Sequence, residues 1–304
     1  MVLSLLLCLR FVLHNFEMVQ MNIFLLYVCM ESIQLLQSQQ HLRSGMLLAL
    51  GISIKLLPIV LLPYLIYRKQ FKASIYTLLF ISAFMFLPAL FVGWEMNKQL
   101  HNEWSQIIDP RKDVYLADQN KFGEGIHSLS GLFAAYLSPS KSMLDIDSPR
   151  LIAKSTPHQL SLLLNGSRAL LILILFFIYF LRSRPFSFAK DTFHQYWELS
   201  YLLCIVPLIF PHQQKYAFVF MTPACFYFLN YLLSNWSKPI MTMTKRMLYL
   251  LGLSLFFILT TVTTDGIVGH HLNDLSEYYK SITFGCILLI LLLSSATPMG
   301  RKHI

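Results

Sequence analysis

Apolar residues run along this chain in blocks of membrane-span length, separated by short polar joints. A bilayer core about 30 Å thick takes ~20 apolar residues per helix. Blocks of that kind fall at 44–66, 73–93, 216–233, 247–264 and 281–297. Segment 167–182 is shorter, and Leu160 to Leu164 extend it; 197–210 ends at Pro207 and Pro211. Two further runs open the chain, 1–13 and 18–37, the second carrying Glu31 and several glutamines. Together they predict an all-α, polytopic transmembrane helical bundle of about nine spans. Residues 1–304 read as a single transmembrane domain, interrupted by a long connection at 94–166. Within it Leu129, Leu132, Phe133 and Tyr136 recur at helical spacing, which predicts a short interfacial helix over 126–137.

Composition agrees with the pattern. Of 304 residues 56% are hydrophobic and 13% charged, and mean hydropathy is +0.56. Soluble domains carry about 25% charged residues, so too little polar surface remains to coat a water-soluble fold. The net charge of +9 does not point to nucleic acid, because the basic residues gather in short joints between apolar blocks. Those at 67–72, 183–196, 234–246 and 298–304, with Arg182, hold eleven Lys and Arg against the single acid Asp191. The connection 94–166 holds seven basic and eight acidic residues. Cytoplasmic joints are the basic ones, which puts the C-terminus inside and 94–166 outside. Counting back then puts Met1 outside without a charged leader, a start that suggests missing N-terminal spans. The five cysteines all lie in apolar stretches and form no CxxC pair that would suggest metal or redox chemistry.

Chemistry is expected at a few polar positions. Lys55 lies mid-way along 44–66, roughly 16 Å from either end at 1.5 Å per residue, too deep to snorkel. An ionisable group there faces a cavity or a partner: an anionic phosphate, or Glu17 or Glu31 within the bundle. Pro58 breaks the helix three residues later. Gln20 and Asn22, just after Glu17, cap a helix, pair with another helix or hold a sugar hydroxyl. The turn Pro211-His212-Gln213-Gln214-Lys215-Tyr216 offers His212 and Lys215 at the outer surface, as phosphate-binding groups or as an ordinary interfacial turn. Asp109, Asp113 and Asp118 are candidate bases or solvated surface acids. Histidines have no ligand spacing, so no metal site is expected, and no P-loop, GxSxG or Rossmann glycine run appears.

These features resemble the integral-membrane GT-C glycosyltransferases, most closely glycosyltransferase family 87. The family's Gly-Gln-x-Asn element appears as Val19-Gln20-Met21-Asn22, without the glycine. Its Lys-Pro helix and basic turn appear as Ile54-Lys55-Leu56-Leu57-Pro58 and Tyr67-Arg68-Lys69. His127-Ser128-Leu129-Ser130-Gly131-Leu132 and Pro211 to Tyr216 echo two further motifs, so the resemblance covers most of 15–230. It implies a polyprenyl-phosphate-linked hexose donor, of mannosyl type, a glycan or lipid acceptor, a membrane-lipid environment and no cofactor. Lys55, Lys215 and His212 would stabilise the phosphate, while Gln20 and Asn22 shape the site. The family's catalytic aspartate follows its first helix, whereas no acid precedes Glu17 here, and Glu17 is expected on the inner side. No catalytic base is therefore assigned, and an N-terminally truncated enzyme is expected. A lipid-linked-glycan transporter and a non-catalytic remnant are the rivals. Short loops and absent retention signals favour a bacterial plasma membrane.

Overall fold

A computed structural model describes residues 2–108, 125–138, 150–182 and 192–298, which contain helices and turns and no strand. They fall into two compact units, one of residues 2–22, 125–138, 150–182 and 192–298, the other of 23–108. The first unit opens with α1 (Val2–Leu7) and α2 (Leu9–Glu17), so the run expected over 1–13 is two helices. Arg10, Phe11 and Asn15 form the buried face of α2. The arginine that breaks the apolar pattern thus points into protein, where it finds partners.

The second unit contains most of α3 (Asn22–Gln37), then α4 (His41–Ile54), α5 (Leu61–Tyr67), α6 (Phe71–Phe86), α7 (Ala89–Val92) and α8 (Trp94–Ile108). Small residues let α4 approach its neighbours. A Cβ on Gly45 would stand 2.6 Å from Tyr76 Cβ, and one on Gly51 2.8 Å from Val28 Cγ1. Ser44 donates to Ser32 O at 2.8 Å, tying α4 to α3. The block 44–66 is not one helix. α4 stops at Ile54, Lys55 is extended at φ −156°, and a 3-10 turn from Leu57 to Val60 carries Pro58 before α5 begins. Proline lacks the N–H a continuing helix needs and disfavours helical backbone just before it. After α7 the chain reverses at Gly93, φ 83°. Here α8 replaces the loop expected from Trp94 onward: Asn97 Nδ2 donates to Met85 O at 3.2 Å and His101 Nε2 lies 2.8 Å from the same carbonyl. Both satisfy an orphan at the C-terminal end of α6.

The first unit continues with α9 (Leu129–Leu137), α10 (Pro157–Arg182) and α11 (Thr192–Ile209), then a 3-10 segment Lys215–Met221 leading into α12 (Thr222–Asn235). After these come α13 (Met243–Phe257) with a π turn Ile258–Val262, α14 (Asp265–Val268), α15 (His270–Tyr278) and α16 (Ser281–Ser295). Apolar residues surround α11 on every side, and it is buried from Trp197 to Leu208, as expected of an interior helix. Aromatic side chains of α11, α12 and α13 close the end of α16. Trp197 Nε1 donates to Leu293 O at 3.1 Å, Tyr227 to Ala296 O at 2.7 Å and Tyr249 to Ser295 O at 3.2 Å. Carbonyls at a helix end have no partner within the helix, and three aromatic donors supply one. Residues 265–280, expected as a loop, form α14 and α15.

Among the described residues four helical stretches are long and apolar enough to cross a membrane: Phe71–Val92, Pro157–Leu181, Lys215–Asn235 and Met243–Val262. Two bent pairs, Leu9–Glu17 with Asn22–Gln37 and His270–Tyr278 with Ser281–Ser295, bring the count to six if each is one span.

Candidate functional site

The polar turn after α11 sets up a cavity in the first unit. His212 takes a left-handed φ of 57°, and Gln213 Nε2 donates back to Pro211 O at 2.8 Å, so the chain reverses tightly into 215–221. α2 packs along that 3-10 segment: Phe11 and Phe218 have ring centroids 5.9 Å apart, and Asn15 Nδ2 donates to Tyr216 O at 2.8 Å. The C-terminal end of α2 therefore lies beside the 211–216 turn. Arg10, His14 and Glu17 of α2, Lys215, and Asp265 and Asn273 of α14 and α15 line a cavity of about 430 Å³ with Leu9, Leu13 and Ile267.

One carboxylate organises the cations. Glu277 Oε1 accepts from Lys215 Nζ in a close ion pair, from Asn273 Nδ2 at 3.2 Å, and lies 3.6 Å from Arg10 Nη2. Arg10 is further held by Asn273 Oδ1 at 2.8 Å, Thr260 O at 3.2 Å and Thr263 Oγ1 at 3.1 Å. Asn273 and Glu277 are four residues apart on α15, hence on one face. At the mouth, His14 Nδ1 stands 2.9 Å from Glu17 Oε2, and the His14 ring stacks on Tyr216 at 6.1 Å. The cavity thus joins two anchored cations to two further carboxylates, Glu17 and Asp265.

Behind the turn lies His127, fully buried at the start of α9. Its backbone is fixed by His127 N donating to Gln213 O at 2.8 Å and by Thr283 Oγ1 donating to His127 O at 2.6 Å. Its ring meets Phe218 edge-on at 6.3 Å. Burial holds the imidazole well below the usual histidine range, and the charges of Lys280, Lys215, Arg10 and His14 act in the same direction. It is therefore neutral, one ring nitrogen a donor and the other an acceptor. Neither has a hydrogen-bond partner among the described residues.

Of the residues expected to form the site, Lys215 lines this cavity and His212 lies in the turn beside it. Glu17 differs from expectation: instead of lying opposite the 211–215 turn it shares the cavity with Lys215, because α2 runs along the 3-10 segment. Asn22 is fully buried and donates to Asn15 Oδ1 at 3.1 Å. Gln20 makes a local contact of 3.4 Å to Met18 O. Lys55 is half-buried at the break after α4, in the second unit. Asp109, Asp113 and Asp118 lie outside the described residues. Arg10, Asp265, Asn273 and Glu277 were not anticipated. Arg10 gave a signal, an arginine inside an apolar run; the others sat in what looked like a loop. Among the described residues no three His, Cys, Asp or Glu side chains stand together as a metal would require.

No curated protein and no solved structure shows a match to this chain. Residues 1–191, more than half the chain, match the family model of glycosyltransferase family 87, in agreement with the motifs around Gln20, Lys55 and Tyr67. Helical among its described residues and rich in apolar helices of span length, the chain belongs to glycosyltransferase family 87.

Proposed function

We propose that this protein transfers a hexose, of mannosyl type, from a polyprenyl-phosphate sugar to a hydroxyl of a glycan or lipid acceptor at the outer face of a bacterial plasma membrane. The observation that carries this reading, beside family membership, is the cavity in which Lys215 and Arg10 face Glu17 and Asp265. Transfer from a phosphate-linked sugar to a hydroxyl needs these two kinds of group. The acceptor oxygen attacks the anomeric carbon, the bond from that carbon to the phosphate oxygen breaks, and the configuration inverts. A carboxylate takes the hydroxyl proton, while fixed cations stabilise the charge that grows on the leaving phosphate. We assign phosphate stabilisation to Lys215, with His212 in the adjoining turn, and proton acceptance to Glu17 or Asp265. Gln20 and Asn22 support the entry to α3. Lys55 is assigned to phosphate binding by the family's Lys-Pro motif alone. The remaining apolar helices, 44–66 broken at Lys55 and 197–210 among them, are read as further crossings, for about nine in all.

The test is sugar transfer by the purified chain in lipid nanodiscs, with polyprenyl-phosphate mannose as donor and an extracted membrane-lipid fraction as acceptor. Transfer by the wild type that falls a hundredfold or more in Lys215→Ala, with folding retained, is expected. A wild type that releases no polyprenyl phosphate under any donor would overturn the reading.

A further inference from the structure

Two buried polar side chains beside the cavity are left without hydrogen-bond partners among the described residues: both ring nitrogens of His127, and Oε1 of Gln213. His127 is fully buried and Gln213 is 8% exposed. They adjoin, since His127 N donates to Gln213 O, and Gln213 is two residues from Lys215, which lines the cavity. Buried polar groups are nearly always satisfied, and each exception calls for an explanation. The backbone around them is fixed closely. Ser128 and Ser130 pair at 2.7 Å, and a Cβ on Gly131 would collide with Ile126 O, so the start of α9 has little freedom to turn the imidazole elsewhere.

The unmet groups define what would complement them. A neutral imidazole offers one donor and one acceptor, and Gln213, whose Nε2 already donates to Pro211 O, offers Oε1 as a second acceptor. A phosphate oxygen only accepts, so it would leave two of the three unmet. A hydroxyl both donates and accepts, and a pair of neighbouring hydroxyls meets all three. We infer that His127 and Gln213 form a hydroxyl-reading subsite for the sugar ring of the donor, next to the cations that would hold its phosphate. This rests on the glycosyltransferase reading above and gives that site a sugar-facing wall.

A thermal-shift measurement in detergent tests it, comparing polyprenyl phosphate with polyprenyl-phosphate mannose and polyprenyl-phosphate glucose. The extra stabilisation from either sugar over the bare lipid phosphate reports the subsite. In the wild type this increment is expected for at least one sugar. His127→Leu should abolish it while leaving the shift from polyprenyl phosphate intact, and His127→Gln, which keeps a donor and an acceptor, should retain part of it. The unliganded His127→Leu protein should be as stable as the wild type or more so, because an unsatisfied polar group is replaced by an apolar one of similar size. Gln213→Met, at the surface of the same subsite, should reduce the increment independently. An increment unchanged in both His127→Leu and Gln213→Met would overturn the subsite and leave the donor assignment standing. A wild type shifted by the sugar lipids no more than by polyprenyl phosphate would overturn the subsite as well, and no shift from any of the three would overturn the donor reading with it.

Discussion

Glu277 is where residue chemistry bears most directly on this fold. Its carboxylate pairs with Lys215 and faces Arg10, both largely withdrawn from solvent. Removing one partner of a buried pair leaves the others uncompensated and costs about 3–5 kcal/mol; the partial exposure of Lys215 puts Glu277→Ala near the lower end. A fall in detergent melting temperature of several degrees is expected, larger than for Asp265→Ala, whose carboxylate is half-exposed. His127 makes a pH prediction with a definite sign. Its folded pKa lies below the ordinary histidine value of about 6.5, so the unfolded chain binds the proton more readily. Its contribution to stability is fully present above that pH and declines as pH falls toward the folded value. Melting temperatures measured from pH 7.5 down to 5 should drop less in His127→Leu than in the wild type. Lys55→Ala should lower sugar transfer tenfold or more and Lys55→Arg should restore it if charge alone is required; equal rates in Lys55→Ala and wild type would remove Lys55 from the site.

Among the helices, close packing rests on a few glycines. A Cβ on Gly285 would collide with Thr260 Cγ2, and one on Gly252 would stand 2.8 Å from Leu292 Cδ2. Overpacking of this kind costs about 1–3 kcal/mol, and membrane helices use small residues to approach. Gly285→Ala should therefore lower the melting temperature more than Gly166→Ala, since a Cβ on Gly166 meets nothing within 4 Å. Much of this level was legible in the sequence. The break at Lys55 follows from Pro58, the reversal after α11 from the Pro211–Gln214 turn, and α9 from the spacing of Leu129, Leu132 and Phe133. α8 and α15 were missed because both are polar on average and contain no apolar block of span length, although each separates an apolar from a polar face at helical spacing. The separation expected between Glu17 and the 211–215 turn was not met either: two short helices fill 2–17, and the second lies along 215–221, which brings Glu17 and Lys215 to one cavity.

For the whole molecule, the cavity brings together α2, the 211–216 turn and α14–α15, segments separated by some 200 residues in sequence. No local pattern links Arg10 to Glu277; only the packed unit does, so the membrane class and the family were readable while the ion-pair cluster was not. Sugar transfer is the central claim, and single-turnover release of polyprenyl phosphate from polyprenyl-phosphate mannose by nanodisc-embedded protein, supplied with the membrane-lipid acceptor fraction, tests it most directly. The account predicts release with the wild type and release reduced a hundredfold or more by Lys215→Ala, with Glu17→Gln or Asp265→Asn, whichever removes the proton acceptor, reduced comparably. No release by the wild type, or release unaltered in all three variants, would contradict it.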